Sequence, residues 1–126
     1  MMTSLIRIAT GVLLVTHGLV HLLYLAPDVS EFSFDRSWLA PETASRAVAL
    51  VLMWATVAAF ALLGLVVWGV RGLAGAWPVT ALIASVLSLA LLVAFWNWSL
   101  MFGVLIDLAL ITTAVIRPEW TERIVG

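Results

Sequence analysis

The chain has no cysteine, which excludes disulfides, thiolate metal sites and cysteine nucleophiles. It has no lysine either. Its basic residues are six arginines scattered along the chain, and the formal net charge is −1. A nucleic-acid surface needs a clustered basic face, so no nucleic-acid partner is expected. Charged residues of both signs make up only 10% of the chain, against 64% hydrophobic, and mean hydropathy is +1.18. A soluble domain of 126 residues has too little interior to hide that much apolar surface. Glycine-rich phosphate loops are missing, and so are carboxylate pairs at helical spacing within an apolar block. Ser85 and Ser88 have no base near them in sequence. Nothing resembles a catalytic constellation. There is no internal repeat and no low-complexity tract.

What the chain does have is four long apolar blocks, Leu5–Ala26, Ala47–Val70, Val79–Trp96 and Leu100–Ile116. Each is long enough to cross a hydrocarbon core as a helix, which takes roughly 17–25 apolar residues. The expected fold is all-α: a four-helix transmembrane bundle with short connectors and one longer external loop, forming a single domain over residues 1–126. The first block is read as a span rather than a signal peptide. It is longer than the usual ~7–15 apolar residues, lacks a clear cleavage site before Pro27, and carries two histidines. No lipidation motif is evident, since Met2 stands where myristoylation needs glycine and the C-terminus lacks cysteine.

Proline and glycine punctuate these blocks where helices should start and stop. Pro27 ends the first, because proline disfavours the helical conformation in the residue before it. Pro41 followed by Glu42 suits a helix N-terminus, where a missing N–H is harmless and an acid complements the dipole. Gly69 to Gly72 closes the second helix, Pro78 opens the third, and Trp96-Asn97-Trp98-Ser99 forms a tight turn. Arg117-Pro118 ends the fourth. The tail Pro118–Val125 reads as a short interfacial helix with Trp120 and Ile124 on its apolar side. The long loop Pro27–Ser45 holds Phe32, Phe34, Trp38 and Leu39 among acids and is expected to anchor at the outer interface.

Arginine placement sets an expected orientation. With four spans, Arg7, Arg71, Arg117 and Arg123 share one side, while Arg36 and Arg46 lie opposite among Asp28, Glu31, Asp35 and Glu42. That bias puts both termini in the cytoplasm of a protein of the plasma membrane.

The polar residues inside the spans are few, and their heights coincide. On the first helix Thr3, Thr10, His17, His21 and Tyr24 follow spacings of seven, seven, four and three, which make one stripe. Such a stripe should face other helices, since hydrocarbon offers no hydrogen bonds. Gly11 and Gly18 lie beside it and allow close approach, as do Ala55 and Ala59 on the second helix and Ala81, Ala84, Ser85 and Ser88 on the third. At the outer interface, His17 lies eight residues from Leu25, Trp54 eight from Arg46, Ser88 eight from Trp96 and Asp107 eight from Ser99. At 1.5 Å per residue that is ~12 Å, close to the midplane of a ~30 Å core. A carboxylate at that depth costs roughly 2.5–3.5 kcal/mol unless it is protonated or paired. No arginine reaches Asp107, so His17 is the best partner available.

His17, His21, Asp107, Ser88 and Trp54 are therefore the candidate residues for ligand binding or proton relay. Two histidines four apart point the same way and suit a shared metal; Asp107 would make a two-histidine, one-carboxylate set. A bis-histidine haem is less natural, because both imidazoles sit on one helix. The bland alternative, histidines bonded to neighbouring hydroxyls or backbone, is favoured over a metal.

The run Arg7-Ile-Ala-Thr-Gly11, followed by His17-Gly18-Leu-Val-His21, resembles the first helix of DoxX-like bacterial membrane proteins. Members of that family often carry an Arg, then a Gly, then a His-Gly pair there; this chain has His21 where they commonly have a basic residue. The likeness covers one helix well and the other three by hydropathy. It implies a four-span accessory protein associated with membrane redox or quinone systems. Three functional readings follow. The first is an accessory subunit that binds a lipid-like ligand, other membrane subunits or a second copy of itself. The second is a redox component in which His17 or His21 serves haem, metal or quinone. The third is a small proton-coupled carrier using Asp107. The first is preferred, with no resident cofactor and no catalytic role.

Overall fold

A computed structural model describes residues 2–25, 42–73 and 75–125, which are helical throughout apart from turns, with no strand among them. Helix α1 runs Met2–Val20 and continues as a 3-10 segment, His21–Leu25; α2 is Glu42–Val67 and α3 Trp77–Ala94. A short 3-10 turn, Trp98–Leu100, leads into α4, Met101–Ile116, and α5 is Glu119–Val125. Four stretches are long and apolar enough to cross a membrane: Met2–Leu25, Arg46–Val67, Trp77–Ala94 and Trp98–Ile116. This is the architecture of a polytopic helical membrane protein. Residues 27–41 of the expected external loop, with Phe32, Phe34, Trp38 and Leu39, lie outside the described residues. The loop's last four residues belong to the first turn of α2, which starts five residues earlier than hydropathy alone suggests.

The helix ends follow the punctuation. At the end of α2, Gly69 takes φ +79°, the Val70 N–H donates to Leu65 O and the Gly69 N–H to Val66 O. This pair of bonds is the Schellman closure, which needs the left-handed conformation that glycine adopts freely. Pro78 sits in the first turn of α3. Between α3 and α4, Asn97 Oδ1 accepts from the Ser99 N–H at 2.9 Å, and the rings of Trp96 and Trp98 meet edge-on. Arg117 closes α4 at φ 51°, and its guanidinium holds Glu122 of α5 at 2.9 and 3.0 Å.

The helices pack in chain order, α1 on α2, α2 on α3 and α3 on α4, while α1 and α4 have no comparable shared surface. The N-terminal end of α1, the α2–α3 connector and α5 meet at one end. There the Arg7 guanidinium donates to Ile124 O at 2.7 Å, capping α5, and Trp68 Nε1–H donates to Ile8 O. Helix α5 buries Thr121 and Val125, half-buries Ile124 and leaves Trp120 largely exposed. Helix α5 lies on α1 and α2 by the face that carries Thr121 and Val125.

The α1–α2 seam is closed by glycines against bulky partners. A Cβ on Gly11 would run into the Trp68 ring, one on Gly18 would lie 2.5 Å from Phe60 Cβ, and one on Gly64 would lie 2.5 Å from Val15 Cγ2. The expected small-residue faces are used on α3, where Ala81, Ala84, Ser85 and Ser88 are all buried; Ala55 and Ala59 are half-buried. Of the polar stripe on α1, His21 and Tyr24 are buried and Thr10 and His17 half-buried, but Thr3 is exposed. The first turn of α1 extends past its neighbours, so residues 2–6 are all uncovered.

Candidate functional site

Three helices and the start of the 3-10 segment bring four polar side chains together. Asp107 on α4 is fully buried, as is Ser88 on α3; His21 is 2% exposed. His17 Nε2 lies 3.0 Å from Asp107 Oδ1, and Ser88 Oγ lies 2.5 Å from Asp107 Oδ2. His21 Nε2 lies 2.9 Å from Ser88 Oγ. The other ring nitrogen of His21, Nδ1, donates to the carbonyls of His17 at 3.1 Å and Gly18 at 3.2 Å. The side chains therefore form an unbroken row: His17, Asp107, Ser88, His21.

Local structure explains how two histidines on one stripe reach different partners. The α-helix gives way to 3-10 geometry at His21, and the His21 ring turns back to hold carbonyls from the last α turn. Phe60 of α2 is wedged against both imidazoles. It meets His17 edge-on at 4.9 Å and lies nearly parallel to His21 at 6.4 Å between ring centres. Gly18 is what permits this, because any side chain there would occupy the place of Phe60.

Of the five sequence candidates, His17, His21, Ser88 and Asp107 meet. Trp54 does not. It is 54% exposed on the outside of α2 and takes no part in the row. A count from Arg46 sets Trp54 level with the row, whereas α2 begins at Glu42 and meets the row at Phe60, about 9 Å farther along the helix and on another face. Phe60 was not singled out from the sequence. The signal for it is Thr56, the one hydroxyl-bearing residue between Arg46 and Val67: it is fully buried, marks the inward face, and stands one turn before Phe60.

Among the described residues no group of three His, Asp or Glu side chains is arranged to hold a metal ion. The reason is visible in the bonds. Both nitrogens of His21 are engaged, and Asp107 divides its oxygens between His17 and Ser88.

A cleft of about 240 Å³ opens beside the row, along the side where α1 and α4 part. His17 and His21 form its polar floor. Val20, Leu92, Phe102 and Ile106 supply apolar walls, and Ser99 and Leu100 line it toward the α3–α4 turn. Gly103 keeps it open: a Cβ there would stand 3.0 Å from Leu92 Cδ1 and 3.8 Å from His17 Cε1. A second cavity, of about 140 Å³, lies at the terminal end among Leu14, Trp77, Trp120 and Val125 and is almost wholly apolar.

The Arg-Gly-His-Gly residues of the first helix each have a place in this geometry. Arg7 caps α5, Gly11 and Gly18 admit Trp68 and Phe60, and His17 meets Asp107. Comparison with known proteins adds no relative: no family model matches the chain, no curated protein matches it, and no solved structure matches it.

Proposed function

We propose that this chain is a small four-span accessory protein of the plasma membrane, DoxX-like and bacterial, which holds a lipid-like molecule in the cleft between α1 and α4. The observation that supports this reading is the cleft itself. It has apolar walls suited to an acyl or isoprenoid chain and one polar end, where His17 and His21 stand in front of a buried acid. Ligand sites commonly combine a mostly apolar lining with a few convergent polar groups. Ionisable residues inside membrane segments mark such sites more often than they serve packing alone. Partner subunits or a second copy would then contact the complex from the lipid-facing surfaces.

Orientation belongs to the same reading. The start of α1, the α2–α3 connector and α5 lie at one end, and the excess of arginine there supports a cytoplasmic side for that end. Reporter fusions after Arg71 and after Gly126 should both read cytoplasmic, and an external reading at either position overturns the orientation.

The cleft is tested by native mass spectrometry of protein extracted in mild detergent. The parent protein should retain a lipid-mass adduct, and Gly103→Leu, which fills the cleft, should lose it while keeping a cooperative melt. An adduct held equally by a folded Gly103→Leu variant would remove the cleft from the function.

A further inference from the structure

The hydrogen bonds of the polar row restrict where its protons sit. Carbonyl oxygens only accept, so the bonds from His21 Nδ1 to the His17 and Gly18 carbonyls require a proton on that nitrogen. Ser88 has one hydroxyl hydrogen and two partners, His21 Nε2 and Asp107 Oδ2. If it donates to His21, then Asp107 carries the proton on Oδ2 and donates to Ser88. If it donates to Asp107, then His21 Nε2 carries a proton as well and the pair is imidazolium and carboxylate. The two forms contain the same number of protons and are both neutral overall. They interconvert when two protons each move across one hydrogen bond: Asp107 Oδ2 to Ser88 Oγ, and Ser88 Oγ to His21 Nε2.

Both forms leave Asp107 Oδ1 without a proton. His17 Nε2, 3.0 Å away, must then be the donor. In a neutral imidazole one nitrogen donates and the other accepts, so His17 Nδ1 is bare. It has no protein partner among the described residues, and the ring that bears it lines the cleft. A net charge in so enclosed a place is costly, which favours the neutral inventory. The charged or titratable groups facing the row from the packed elements are few. Helix α1 contributes the histidines themselves, α4 contributes Asp107, and α2 and α3 contribute none within Ala47–Val67 or Trp77–Ala94.

From this inventory we infer that the cleft selects amphiphiles whose polar head donates a hydrogen bond, a hydroxyl-headed lipid above all, with His17 Nδ1 as the acceptor. The inference rests on the cleft being a ligand site and names the chemistry it takes.

The two histidines make this measurable, because a histidine-labelled sample shows only two imidazoles. Nitrogen–proton correlation spectra of the ¹⁵N-histidine protein in nanodiscs should show His17 as the Nε2–H tautomer. Dodecanol, added in small amounts, should shift His17 Nδ1 saturably and leave His21 unmoved. Methyl dodecanoate has a similar chain and no donor; it should leave Nδ1 unmoved and displace dodecanol about three- to tenfold more weakly than an equal chain bearing a hydroxyl, the worth of one hydrogen bond. Asp107→Leu should abolish the tautomer preference. A His17 Nδ1–H tautomer in the parent, or a preference that survives Asp107→Leu, would overturn the proton inventory. Equal binding of alcohol and ester would overturn donor selection while leaving the cleft as a lipid site. Absence of a saturable His17 shift with dodecanol would bring down the cleft reading and this inference together.

Discussion

The two sides of α1 are held in opposite ways. Toward α2 the contact is steric: Gly11, Gly18 and Gly64 each receive a bulky neighbour, and Phe60 sits fully buried between helices. Toward α4 there is no matching surface, and the link is the bond from His17 to Asp107 beside an open cleft. Lipid tails are as apolar as leucine, so helices in a membrane associate through close packing and hydrogen bonds rather than through exclusion of water. One seam uses the first device and the other uses the second. A seam made of packing resists separation along its whole length. A seam made of one polar bridge leaves room for a third body.

Phe60→Ala attacks the packed seam and should have the largest effect. It empties the space between the two imidazoles and Gly18, and the cavity alone is expected to cost about 2–3 kcal/mol. A detergent melt should show a clearly lowered midpoint. An unchanged midpoint would mean that the seam is not closed by this ring.

The polar bridge should be weaker, and it discriminates between replacements. Asp107→Leu removes the acceptor of His17 and the partner of Ser88; interhelical hydrogen bonds in membranes contribute roughly 0.6–2 kcal/mol. Asp107→Asn should be close to the parent, because its carbonyl accepts from His17 and its amide donates to Ser88, as the protonated acid does. If Asp107→Leu melts higher than the parent, the acid is held at a cost to stability, and the α1–α4 link is not a bridge.

The smallest effect should come from Trp54→Ala. That side chain is 54% exposed and belongs to neither seam, so the midpoint should move by no more than about 0.5 kcal/mol equivalent. A drop as large as that of Phe60→Ala would place Trp54 back among the buried groups.

Trp54 and Phe60 also mark what could be read from the sequence. Hydropathy and the Pro and Gly positions locate the helices within a few residues, because span length and backbone conformation are local properties. Counting residues from a span end estimates height, and it set His17, Ser88 and Asp107 at one level, where the structure joins them. Height says nothing about direction around the helix. Trp54 shares that height by count and faces outward. Phe60 carries no polar atom to draw notice, and only the stripe Ala49, Met53, Thr56, Phe60, Leu63 on α2 reveals its inward face. The Arg7 cap on α5 arises from a contact between segments far apart in sequence, so no local pattern announces it.

Asp107 has a further consequence for how the chain enters the membrane. Synthesis runs from the N-terminus, and among the described residues both groups that bond this carboxyl precede it: His17 by ninety residues, Ser88 by nineteen. When α4 leaves the translocon, the helices bearing both partners are already made. The most costly residue to transfer thus follows its partners, and its arrival meets docking positions that are already waiting. The same late step brings α5 within reach of Arg7, so the first helix is latched twice by the final quarter of the chain.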